Sequence, residues 1–162
     1  MAKSHQLQIR ISSGQKAALR RQARRAGMDM STYVLTRALP APAVKVAELI
    51  GALPDADSPR FPLAELNDVL HGLAASAYSE AVEGVDVGHL SPYLQNYVTA
   101  MVEHAAFQKG VSPPEWARDV EALEAPVFAV PFPRLRTYLL RSSPVAFKRR
   151  NLFVDATVGD RV

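Results

Sequence analysis

Gln6-Leu7-Gln8-Ile9-Arg10-Ile11, followed at once by Ser12-Ser13-Gly14-Gln15-Lys16, alternates polar and apolar residues and then turns to helix-forming ones. Side chains alternate across a strand, so Leu7, Ile9 and Ile11 share one face and Gln6, Gln8 and Arg10 the other. Glutamine pairs bidentately with adenine and arginine with guanine, which suits the polar face to base edges in a major groove. A core strand with a wet outer face shows the same alternation, so the segments that follow have to decide between the two.

Just beyond this stretch, Ser12 stands three residues before Gln15 in capping-box spacing, and Lys16 to Ala26 is rich in alanine, leucine and arginine without a breaker. That spacing predicts a helix of about three turns. Gly27 supplies a left-handed stop, and Asp29 or Ser31 can cap a second helix through Tyr33, Val34, Leu35 and Ala38 up to Pro40. Pro40 and Pro42 then close a first module over residues 1–42.

Charge divides the chain of 162 residues in the same place. Residues 1–42 hold eight basic groups against Asp29 alone, residues 43–133 hold four against thirteen acidic ones, and residues 134–162 hold seven against two. A basic end and an acidic middle are the pattern expected when one end meets phosphate. Arg20, Arg21, Arg24 and Arg25 read as non-specific electrostatics or a solvated helix face rather than as base readers.

Strand, helix, glycine turn and helix within residues 5–39 resemble the ribbon-helix-helix (Arc/MetJ/CopG-like) family of bacterial repressors and antitoxins. The resemblance rests on 6–11, on Ser12 to Lys16, and on Gly27-Met28-Asp29-Met30-Ser31-Thr32-Tyr33-Val34. It implies base contacts by Gln6, Gln8 and Arg10. It also implies a phosphate held by the start of the second helix at Met30, Ser31 and Thr32, which agrees with the helix dipole. Leu7, Ile9, Ile11, Leu19, Val34 and Leu35 would fill a core shared by two copies. The implied homodimer through the N-terminal strand fits physics, because about 40 residues cannot bury enough apolar surface alone.

From residue 43 to 162 the spacing predicts a helical domain: a short helix over 44–53, a polar loop at 54–59, a long helix over 63–83 with an alanine side, and a helix from Ser91-Pro92 to about Gln108. Another short helix is expected from Ser112 to near Leu123, with Trp116 as a packing anchor. Three prolines make 125–133 extended, running across the domain's surface or into a partner's groove. Short helices at 135–142 and 144–150 and a strand at 151–155 complete a mainly α chain.

Pro133-Arg134-Leu135-Arg136 and Ser143 through Val154 resemble the carboxy-terminal part of proteins encoded beside nucleotidyltransferase-like toxins. That resemblance and the basic, apolar character of 125–162 put candidate partner contacts at Phe128, Phe132, Leu135, Tyr138, Phe147, Arg149, Arg150 and Phe153.

Little else points to chemistry. The chain has no cysteine, hence no disulfide or thiolate site, which fits a cytoplasmic protein. No apolar run approaches the roughly 20 residues of a membrane span. His5, His71, His89 and His104 lack metal-ligand spacing, and no phosphate-cradling loop or nucleophile elbow appears, so neither a metal, a cofactor nor an enzyme is expected. The leading expectation is an antitoxin that represses its own operon on double-stranded operator DNA and neutralises a protein toxin through residues 43–162. The alternatives are a ligand- or metal-sensing repressor of the same plan and an accessory DNA-binding protein of plasmid partition or transfer.

Overall fold

The computed structural model describes residues 8–38, 41–56 and 58–155. They fall into two compact units, divided between residues 40 and 41.

In the first unit, α1 (Ser13–Arg25) begins with a complete capping box. Gln15 N–H donates to Ser12 Oγ at 3.2 Å and Ser12 N–H donates to Gln15 Oε1 at 2.9 Å, which satisfies two of the donors a helix start leaves open. The helix ends in a Schellman turn: Met28 N–H reaches back to the Ala23 carbonyl and Gly27 N–H to that of Arg24. Gly27 sits at φ 68°, where a Cβ would be strained. α2 (Met30–Ala38) packs on α1. Residues 8–11 pair with nothing in the strand sense within the described chain.

The second unit is helical with one small sheet. α3 (Ala41–Gly51) carries Pro42 in its first turn, where no amide donor is needed. It packs on α4 (Arg60–Gly72) and α5 (Ala75–Val82), and α6 (Pro92–Lys109) lies against both of these. Val46, Ile50, Leu66, Leu70, Tyr78, Val82, Val98 and Val102 fill the core between them. α6 opens on Ser91 with proline in its first turn and closes on Gly110 at φ 67° in a second Schellman turn, with Val111 N–H on the Ala106 carbonyl.

The helices expected over 63–83 and 112–123 depart most from the fold, and the one expected over 144–150 is trimmed to Val145–Lys148. The continuous helix over 63–83 is broken at Leu73 and Ala74, both extended. Lys109, at the end of α6, donates from Nζ to the carbonyls of His71 (2.9 Å) and Leu73 (2.7 Å), so the carbonyls at the break find their donor in a side chain. The helix expected over 112–123 is reduced to the 3-10 turn Glu115–Arg118. Its carbonyls are claimed from outside: Ala117 and Val120 accept from Arg150, Glu121 from Asn96, and Leu123 from Asn151. Trp116 anchors this segment through Nε1–H to the Val82 carbonyl at 2.8 Å.

Within the proline-rich segment only Val127–Phe128 runs as a strand, and its partner is its own chain; residues 129–131 bend, and Pro133, expected to be extended, opens a helix. β1 (Val127–Phe128) pairs in parallel with β2 (Leu152–Phe153), with Val127 opposite Leu152 and Phe128 opposite Phe153. The two phenylalanine rings stack with centroids 4.9 Å apart. Between the strands run α7 (Pro133–Ser142) and α8 (Val145–Lys148), and α8 packs on α6. No helix among the described residues is long and apolar enough to cross a membrane.

Candidate nucleic-acid interface

The positions expected to meet DNA lie in the first unit. Gln8 and Arg10 are exposed, and Gln6, with Leu7, lies outside the described residues. Their alternate neighbours Ile9 and Ile11 are also open to solvent, at 59% and 39% exposure, as are Leu35 (49%) and Met28 (41%). Ala23 alone is buried among the described residues of this unit, while Leu19, Tyr33 and Val34 are half-buried. An apolar face this open on about 40 residues is not a closed core.

The expected phosphate site has a built-in competitor. Asp29 caps α2, accepting at Oδ1 from Ser31 N–H at 2.9 Å and Thr32 N–H at 3.0 Å, while Thr32 Oγ1 donates to its other oxygen. The Thr32 hydroxyl and amide bonds hold the Asp29 carboxyl below the usual carboxylate range. A phosphate approaching Met30, Ser31 and Thr32 therefore meets two amides already bonded to an anion. It has to displace that carboxylate or bind through the Met30 amide and the exposed Ser31 hydroxyl, since the Thr32 hydroxyl proton is already given to Asp29.

The expected partner residues separate into two groups. Phe132 (62% exposed), Leu135 (43%) and Tyr138 (51%) stand out from α7 and its start, Arg149 is exposed, and Phe128 is half-buried under the Arg136 guanidinium, 5.1 Å from the ring centre. Phe147, Arg150 and Phe153 belong instead to the interior of their own domain. Phe147 packs edge-on to Tyr97 at 5.4 Å, and Phe153 is held by the strand pair. Arg150 spends its donors on Glu103, Val120, Ala117 and Asn96. Composition does not separate these three from the exposed group, because an aromatic and basic tail looks the same whether it folds inward or outward.

The histidines do not assemble. His71 and His104 are bridged by the Gln108 amide, at 2.6 and 3.1 Å, His89 is exposed on a loop, and His5 lies outside the described residues. Among the described residues no group of three His, Asp or Glu side chains is arranged to hold a metal ion. One feature escaped sequence reading: a groove between the end of α6 and α8, beside Phe107 and Val145, whose walls come from segments some 40 residues apart. The chain matches no protein-family model, no curated protein and no solved structure.

Proposed function

We propose that this protein is a dimeric repressor that binds operator DNA through residues 6–11 and acts as the antitoxin of a protein toxin held by its second unit. The observation that carries the reading is the first unit's composition of faces. Ile9, Ile11, Met28 and Leu35 are open on a basic unit in which Ala23 alone is buried among the described residues, so a second copy is the natural cover. Pairing two such strands about a dyad would hide the isoleucines and present Gln8 and Arg10 outward on a ribbon. The separate compactness of the second unit supports a division of labour, and the exposed Phe132, Leu135 and Tyr138 offer an apolar surface for the toxin.

The test joins light scattering with footprinting of the full chain on the DNA upstream of its own gene. A dimer protecting a two-fold symmetric site supports the reading; a monomer with no protected site sinks it. For the second half, the full chain is co-expressed with the product of the adjacent gene. Equimolar co-purification that is lost with Phe132, Leu135 and Tyr138 changed to serine supports the toxin surface, and its persistence places the contact elsewhere.

A further inference from the structure

In the second unit, a groove of about 770 Å³ runs between the carboxy-terminal end of α6 and α8. Its apolar lining includes Val111 and Pro113, and two large side chains stand open at it: Phe107, 83% exposed, and Val145, 68% exposed. Its rim is basic, with Arg141, Lys148 and Arg149. Among the described residues no carboxylate forms a salt bridge with any of these three, and the Lys148 ammonium donates to the Arg141 carbonyl at 2.7 Å rather than to an acid. Glu103 also borders the groove, but both of its oxygens are taken by Arg150, so the pair as a whole is neutral.

We infer that this groove docks an acidic amphipathic helix of a partner protein, with its apolar side on Phe107 and Val145 and its carboxylates against Arg141, Lys148 and Arg149. Three uncompensated cations around an apolar floor select the charge of the occupant. The groove walls select its backbone. Outside the helical turns they are formed by Pro113 and Pro144, which lack an amide donor, and by Val111 and Ser143, whose amides are already given to the Ala106 and Leu139 carbonyls, so they present no strand edge to extend. An occupant must then satisfy its own backbone, as a helix does when it lies in an apolar groove. Nothing in this depends on DNA binding or on the identity of a toxin.

The probe is a fluorescein-labelled helical peptide of about 18 residues, with leucines at i, i+3, i+4 and i+7 and glutamates elsewhere. It is compared by anisotropy on the full chain with a twin bearing lysine for glutamate and with phosphatidylserine vesicles. The glutamate peptide should bind at least about tenfold more tightly than its twin, and less tightly as salt rises. The pair Phe107→Ala and Val145→Ser, and separately Arg141→Glu and Arg149→Glu, should each weaken it about tenfold. These side chains are exposed, so the fold should survive, and unchanged circular dichroism checks this. Arg118→Glu with Arg134→Glu, an equal charge change away from the groove, should leave binding unaltered. Equal binding of the twin, indifference to the groove variants, no saturable binding of the glutamate peptide, or a preference for the vesicles lost in those same variants would each overturn the assignment.

Discussion

The Arg150 guanidinium grips the Glu103 carboxylate in a two-pronged pair, Nε to Oε2 at 3.0 Å and Nη2 to Oε1 at 2.9 Å, with side-chain exposures of 7% and 18%. The same guanidinium holds the carbonyls of Ala117 and Val120, so one side chain ties α6, the 3-10 segment and the end of α8 together. Removing one partner of such a pair strands the other in a poorly hydrated site.

Arg150→Met should therefore lower stability by about 3 kcal/mol, read as a shift in urea midpoint. The double variant with Glu103→Leu should recover part of that loss. Simple additivity of the two single losses would show that the pair is not coupled.

Ser143 is buried, and its Oγ accepts from Val154 N–H at 3.0 Å while lying 2.6 and 2.7 Å from the carbonyls of Leu139 and Val154. Ser143→Ala leaves a buried amide without an acceptor, and a loss of about 1–3 kcal/mol is expected. Faster hydrogen exchange at Val154 should accompany it; unchanged exchange would mean that another acceptor takes over.

Burial pushes the hydroxyls of Tyr78, Tyr93 and Tyr97 up from their usual ionisation range. A group whose folded-state value is raised ionises first in the unfolded chain. Its contribution is thus complete below about pH 10 and drains away as pH rises further. Tyr78 also donates to the Val102 carbonyl at 2.6 Å, which only its neutral form can do. Denaturation midpoints should fall steeply above about pH 10. Tyr78→Phe should start about 1 kcal/mol lower at neutral pH and fall less steeply; parallel curves would remove Tyr78 as a source of the slope.

Gly110 closes α6 in the left-handed region with nothing within 4 Å of where a Cβ would stand. Gly110→Ala should then cost about 1 kcal/mol through backbone strain alone, without a clash. A loss of several kcal/mol in thermal melts would point to a packing role that this open space does not indicate.

For the proposed DNA contact, Arg10→Ala should weaken specific operator binding by about 1–3 kcal/mol at fixed salt with the helices intact. Unchanged affinity would take the ribbon out of the mechanism.

The features legible in the sequence are local. Ser12 with Gln15, Gly27, Ser91-Pro92 and Lys109-Gly110 mark helix ends because the groups that cap a helix lie within a few residues of it. Pro126, just before β1, and Pro133, at the first position of α7, act over the same short range. Tertiary structure decided whatever depended on residues far apart in the chain. Lys109 lies 38 residues from His71, whose carbonyl it holds where 63–83 breaks, and Arg150 lies 47 from the glutamate that turns it inward. Phe147, Arg150 and Phe153 lie in the interior while Phe132, Leu135 and Tyr138 face out, although both sets come from one aromatic, basic stretch of chain. A hydrogen bond across such a separation forms only after the chain has folded, so no local spacing records it.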